Sequence, residues 1–293
     1  MVIKMKETKG EKIFDVINIV MLTLIAAVTL CPLVYIFAAS LSSGDAYARG
    51  AVMLWPVEAT TAAYKEILND SSVWTAYANT IFYTVAGTAV NLLLTFMGAY
   101  PLSKKYLPGA KWIMKFVVLT MWFQPGMIPF YLTIKEYGLL NSRMSIIIGF
   151  AISAYNMMLM KNFFMSVPDS LEEAAKLDGA NDWYILWKIF LPLSVPAVAT
   201  IGLFYGVSRW NGYFWAMILL KDDVKIPLQV LLKRLIIEAS ARSEYVTLNQ
   251  EQKFSSETII YATIVISILP VMAVYPYIQK YFIKGALIGA VKG

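Results

Sequence analysis

The sequence predicts an all-α integral membrane protein with six transmembrane helices. Three observations predict it. Of 293 residues, 59% are hydrophobic and only 15% are charged, against about 25% charged in an average soluble domain. Mean hydropathy is +0.61, which leaves too little polar surface to cover a soluble fold. The apolar residues fall into six runs, each near or above the roughly 20 residues that cross the hydrocarbon core as a helix. Lipid cannot satisfy exposed backbone N–H and C=O groups, so spans of this kind must be helical. The alternating polar and apolar segments of a membrane β-barrel are absent.

The first run, Ile13–Ser40, follows a polar start bearing Lys4, Lys6, Lys9 and Lys12. A signal-peptide core has about 7–15 apolar residues; this run is far longer and reads as an uncleaved helix. Cys31 within it reads as a small buried hydrophobe. The second run is Ala76–Leu102. The third, Trp112–Thr133, contains Gln124-Pro125-Gly126 and Pro129. The fourth is Met144–Phe164. The fifth, Ile189–Tyr213, holds Pro192 and Pro196, and the short apolar stretch Tyr213–Leu220 after it reads as re-entrant or interfacial. The sixth, Thr258–Phe282, holds Pro270 and Pro276. Ordinary packing kinks are the commoner reading of such prolines; lining of a cavity is the functional one.

Basic residues near helix ends orient the spans. With the N-terminus in the cytoplasm, the lysines at 4–12, 104–115, 161–188 and 280–292 all fall inside, and the formal charge of +6 is concentrated there. Both termini are then cytoplasmic. Residues 165–188 form the long inner loop, and 41–75 and 221–257 form long outer loops. No internal repeat or low-complexity linker divides the chain, which reads as one domain over 1–293.

With no histidine and one cysteine, an internal disulfide is impossible, and a His/Cys zinc site and Ser-His-Asp or Cys-His catalysis are excluded. No G-x-x-x-x-G-K-[ST] sequence is present, so the chain cannot cradle ATP phosphates in a P-loop of its own. Membrane orientation explains the basic charge better than nucleic-acid binding does.

The inner loop is the informative segment. Ser170 and Glu173 have the spacing of a capping box. Leu171–Leu177 then predicts a two-turn helix, and Gly179 a stop in the left-handed conformation. A second helix starts near Asn181 or Asp182 and runs into Leu191-Pro192. From these residues alone, a docking knob and a plain interfacial helix stand about even. Glu173-Ala174-Ala175, Gly179, Ile189, Leu191 and Pro192 resemble the EAA signature of ABC importer permeases at every fixed position. The helix count, the late outer loop and the ending Gly285–Gly293 are similar to carbohydrate-uptake permeases of the maltose-transporter G-subunit type, and within them to permeases for oligosaccharides and uronides, alginate among them.

The resemblance implies a type I importer fold in the bacterial cytoplasmic membrane. It implies that Ser170–Ala180 is a coupling helix, with Ser170, Glu173, Ala174, Ala175, Asp178 and Gly179 facing an ATPase subunit. The partners it implies are a second, related permease subunit, two ATP-binding subunits that hold ATP and magnesium, and an extracytoplasmic solute-binding protein. The C-terminal tail is expected to reach between the ATPase subunits. The chain itself is expected to be non-catalytic.

Sugar recognition uses aromatic faces and hydrogen-bonding side chains. Candidate solute-path residues are Gln124 beside Trp122 and Phe123, Tyr155 with Asn156, and Arg209, Trp210 and Asn211 with Tyr213. Interfacial belts and helix packing are the plainer readings of the aromatics. Arg209 either snorkels to headgroups or pairs with a solute carboxylate. A membrane-embedded transferase would need clustered acids or a metal site. A channel or secondary transporter would need ionisable residues deep in the spans. The sequence offers neither.

Overall fold

A computed structural model of the chain describes residues 8–245 and 257–276. Lys4, Lys6, the middle of the late outer loop, the end of the sixth run and the Gly285–Gly293 tail lie outside them. The described elements are α1 (Lys9–Ser40), α2 (Gly44–Ala48), α3 (Ala62–Asn69), α4 (Ser71–Ser103), α5 (Ala110–Trp122), α6 (Met127–Glu136), α7 (Arg143–Ile148), α8 (Ala154–Phe164), α9 (Asp169–Leu177), α10 (Asp182–Ile185), a π-helical turn (Leu186–Phe190), α11 (Leu191–Leu193), α12 (Val195–Trp210), α13 (Phe214–Leu219) and α14 (Leu228–Tyr245). The last is α15 (Glu257–Pro276). Among the described residues the regular structure is helical throughout.

Three of these helices, α1, α4 and α15, are each long and apolar enough to cross a membrane. Two further runs are bent pairs. α5 and α6 meet at 116°, and Asp182–Leu193 meets α12 at 87°. Pro125 and Pro129 interrupt the first pair. At the second, Pro196 has no N–H for the carbonyl four residues back and its ring crowds that carbonyl. The fourth run corrects the sequence reading. Met144–Phe164 is not one helix but α7 and α8 separated by irregular backbone at 149–153.

That break is stabilised by neighbouring side chains. The Asn91 amide donates to the carbonyls of Phe150 and Ala151 at 2.6 and 2.7 Å. The Tyr205 hydroxyl accepts from the Ser153 N–H at 3.1 Å, and Ser153 caps α8. Irregular backbone at membrane depth persists only where protein or water supplies such partners.

The chain forms two compact units. One holds α1 to α3 with the described part of Arg234–Ile268. Its core is Ala38, Ala39, Ala46 and Val52, with Tyr35, Tyr47 and Tyr261 packed against it. Tyr47 and Tyr261 share a hydrogen bond of 2.9 Å between hydroxyls. Cys31 is exposed on α1 rather than buried. The rule that buries free cysteine belongs to water-soluble proteins; in lipid the outside of a helix is apolar as well.

The second unit is built on Ser71–Lys233. Its central helix is α4, against which α12, α8 and α7 pack. One core cluster joins Phe96 and Tyr100 of α4 to Met160, Phe164, Ile185, Phe190, Ile201 and Tyr205. Another joins Tyr83 to Ile146, Ile147, Ala216, Leu219 and Ile226. The stretch after Tyr213 is therefore a short helix, α13, with Ala216 and Leu219 buried in that cluster.

Candidate functional site

α9 begins earlier than the capping box predicts. Its N-cap is Pro168, the helix starts at Asp169, and no side chain caps it. Pro168 sits at φ −58° and ψ 131°, where its ring holds φ, and its carbonyl accepts from the Leu171 N–H at 3.2 Å. Asp169 is drawn instead to Lys105 at 2.8 Å. Ser170 thus lies inside the first turn, and the reciprocal bond from Glu173 does not form.

The consequence is a helix with two different faces. Ser170, Glu173, Ala174 and Leu177 are spaced i, i+3, i+4, i+7 and share one side. All four are exposed, and Leu177 retains 89% of its surface. On the other side Glu172 is buried, and Ala175 packs against the α4–α8–α12 core.

Glu172 anchors α9. Lys104, just past the end of α4, donates to Glu172 Oε2 at 2.5 Å, and both residues are buried. The same ammonium lies over the rings of Tyr100 and Phe190, at 4.0 and 3.8 Å from their centroids. Lys176 donates to Glu172 Oε1 at 2.8 Å and to the Tyr106 hydroxyl at 3.0 Å. The Tyr106 hydroxyl donates to Glu172 Oε1 at 3.2 Å. Burial pushes the Glu172 carboxyl up, but the hydrogen bonds from the two lysines outweigh it and the net direction is down. The Lys176 ammonium is raised, first by its bond to Glu172. Burial pushes Lys104 down, opposed by Glu172. One buried carboxylate shared by two ammonium groups is held ionised, and the ion-paired state is the one the geometry supports.

The far end of α9 closes as a Schellman motif. Asp178 is the C-cap. The Gly179 N–H donates to Lys176 O at 3.0 Å and the Ala180 N–H to Ala175 O at 2.9 Å. Gly179 has φ +81°, and a Cβ there would meet nothing within 4 Å. The demand for glycine is one of backbone conformation, not of space. Asn181 then caps α10 through the Tyr184 N–H at 2.8 Å, where the sequence places the second helix. Between the two helices lies an open cavity of about 610 Å³ lined by Leu171, Ala174, Asp178 and Tyr184 among others.

The candidate solute-path residues differ in their surroundings. Gln124 is exposed at the α5–α6 break, and Asn211 is exposed just after α12. Tyr155 is exposed, whereas Asn156 and Trp210 are buried. Trp210 makes an edge contact with Tyr77. Arg209 is committed to the protein. Its Nε donates to Asn91 Oδ1 at 2.9 Å, its Nη2 to the carbonyls of Ile147 and Phe150 at 3.0 and 2.8 Å, and its Nη1 to Ile146 O. It closes the C-terminal end of α7 and the irregular segment after it. A Cβ at Gly87 of α4 would come within 2.9 Å of Arg209 Nε, so that glycine is what lets the guanidinium lie against α4.

Sequence reasoning missed Glu172, Lys104 and Tyr106. One signal was present: adjacent acids on a helix point about 100° apart, so Glu172 and Glu173 need not share a face. The i,i+4 pair Glu172–Lys176 marked which one turns in.

An all-helical membrane protein with spans broken where neighbours supply donors, and with a short anchored helix baring one face, is organised as a transport permease. The chain belongs to the family described as binding-protein-dependent transport system inner membrane component, whose model matches residues 4–287. It is 41% identical to the Bacillus subtilis polygalacturonan/rhamnogalacturonan transport system permease protein YtcP, over 97% of this chain and 99% of that one. It is 40% identical to Protein LplC of the same organism, over 99% and 98%. Among solved structures it is similar to a chain of a bacterial ABC transporter involved in the import of the acidic polysaccharide alginate, with TM-score 0.86 and 46% identity over 95% of this chain and all of that one. The chain is accordingly a non-catalytic, multi-pass permease subunit of a binding-protein-dependent ABC importer, and ATP is bound by partner subunits.

Proposed function

We propose that this permease carries an acidic oligosaccharide into the cytoplasm, and that α9 delivers the power stroke from an ATPase subunit. In this reading six spans place both termini and residues 165–188 in the cytoplasm. Residues 41–75 and 221–257 face the solute-binding protein, and a second, related permease completes the path between two ATPase subunits. The observation that carries the reading is the division of α9. Glu173, Ala174 and Leu177 are bare on one side, while Glu172 pins the other to the end of α4. A helix so firmly held with a leucine left uncovered is a surface made for a partner. The acidic solute is supported by two relatives, one named for polygalacturonan and rhamnogalacturonan and one for alginate.

Single cysteines at positions 173, 174 and 177, in a Cys31→Ser background, test the docking role. Each should cross-link to the ATPase subunit in membranes, and position 170 should do so at the edge. Cross-linking at 165 and 188 with none at 173, 174 or 177 would refute it. Uptake of oligogalacturonate or oligoalginate by reconstituted complexes, against a neutral oligosaccharide of equal length, tests the solute class.

A further inference from the structure

A second site lies at the other side of Lys104. The segment from Leu102 to Lys115, with Lys161 and Met165, encloses an open cavity of about 790 Å³. Lys104, Lys105, Lys111, Lys115 and Lys161 line it, and no acidic residue does. Lys104 is spent on Glu172 and Lys105 on Asp169. Among the described residues, Lys111, Lys115 and Lys161 have no carboxylate in ion-pair range. Lys111 and Lys115 stand one turn apart on α5. The Lys115 ammonium lies over the Trp112 ring at 4.3 Å, a cation–π contact that leaves its other hydrogens free to meet an anion. Lys161 comes from the last turn of α8.

Two more features converge on the same cavity. The N-terminus of α5, at Gly109 and Ala110, lines it, has no side-chain cap and carries no acid in its first turn. Its leading amides and its dipole favour an anion. The wall then continues as an apolar track, with Trp112, Ile113, Phe116 and Leu119 exposed along α5.

We propose that this cavity binds the headgroup of an anionic phospholipid, with its acyl chains along α5. The phosphate meets the three unpaired lysines and the α5 amides. The tryptophan sits at headgroup level, as it does at bilayer surfaces generally. A small free anion would use the lysines but leave the apolar track uncovered, so the lipid is the occupant that accounts for both. Basic pockets between membrane helices bind anionic headgroups on this physical basis. The proposal does not depend on which solute is carried.

The test is lipid titration of the purified importer complex followed by native mass spectrometry, using phosphatidylglycerol and phosphatidylcholine. Wild type should retain phosphatidylglycerol under conditions that strip phosphatidylcholine. Each lysine near an anionic headgroup is worth about fivefold in affinity. The triple variant Lys111→Gln/Lys115→Gln/Lys161→Gln should therefore lose about a hundredfold, and the corresponding triple arginine variant should keep wild-type binding. Equal retention of the two lipids, or unchanged phosphatidylglycerol affinity in the glutamine variant, would overturn the proposal. Displacement of the lipid by millimolar inorganic phosphate would overturn it as well, by making this a small-anion site. If the glutamine variant fails to assemble, wild type decides alone, because raised salt must weaken phosphatidylglycerol binding and indifference to salt refutes the site.

Discussion

Removing the Glu172 carboxylate should free α9 from α4 while leaving its exposed face, Ser170, Glu173, Ala174 and Leu177, chemically intact. In Glu172→Ala, Lys104 keeps its place between Tyr100 and Phe190 but loses its one ion-pair partner among the described residues. Truncating one member of a buried pair costs about 3–5 kcal/mol. The two ring contacts persist in the variant and leave the ammonium partly compensated, which sets the cost at the low end of that range. A net weakening of about 3 kcal/mol is expected, which is roughly a hundredfold shift in the ratio of anchored to detached α9. Hydrogen exchange of the amides at 171–177 reads that shift directly, because opening of the helix becomes local rather than global. In proteoliposomes the same variant should hydrolyse ATP with less solute moved per turnover. The control is Glu172→Leu with Lys104→Met. Replacing both charges with apolar groups of similar size is close to neutral, so the double variant should recover slow exchange although each single change does not. Unchanged exchange at 171–177 in Glu172→Ala, or no recovery in the double variant, would refute the anchoring argument.

Acid should act on the same contact. The Glu172 pKa is depressed from the ordinary carboxylate value of 4.5. Its ionisation therefore contributes stability that is fully present above about pH 4.5 and is lost as pH falls through the depressed value; exchange at 171–177 should be flat above 4.5, after correction for intrinsic rates, and rise only as pH falls below it. Gly179→Ala should cost about 1 kcal/mol through backbone conformation alone, Gly179→Asn less and Gly179→Val more, and that order should appear in uptake per ATP hydrolysed while protein levels stay constant. Arg209→Lys and Arg209→Gln should both lower the melting temperature of the detergent-solubilised complex, since neither reproduces the guanidinium fork that reaches the carbonyls of Ile146 and Ile147, and a carbonyl left unpaired there costs about 1–3 kcal/mol; Phe150 O keeps its bond from Asn91, and Gly87→Ala should act in the same direction by displacing the guanidinium. Equal stability with altered preference for charged solutes would instead place Arg209 in the solute path.

Hydropathy made the helical spans legible, and prolines made two of the breaks legible. The break at 149–153 was not, because no proline marks it. It exists because Asn91, Tyr205 and Arg209, distant in sequence, supply the partners, and a single chain read in order cannot announce such pairings. The inner loop shows the same boundary. Gly179 and Asn181 act through local backbone geometry and stand where the sequence put them. Ser170 and Glu173 fit a local capping pattern equally well, but Pro168 and the long-range pull of Lys105 on Asp169 moved the helix start. Arg209 reads from sequence as a headgroup anchor or a carboxylate partner, because the acceptors it takes in the structure include carbonyls, which every residue carries and no sequence distinguishes.

These tertiary contacts fall along one helix. α4 runs 33 residues, about 50 Å at 1.5 Å per residue. At one end Asn79 donates to the carbonyls of Val224 and Ile226 at 2.8 and 3.1 Å, and Tyr83 donates to Lys225 O at 2.8 Å, which ties it to the segment that leads into α14. In the middle Asn91 holds the irregular segment between α7 and α8, and Thr95 shares a hydroxyl bond with Tyr205 of α12. Just past its other end Lys104 holds α9. On the proposed coupling role, a displacement imposed on α9 would be carried along α4 toward the segment before α14 for as long as these contacts hold. The Lys104–Glu172 pair is the sole buried ion pair among the described residues, and it sits where the end of α4 meets α9. Breaking a buried pair of this kind costs more than separating an exposed one, so of the contacts between the end of α4 and α9, Lys105–Asp169 should yield before Lys104–Glu172.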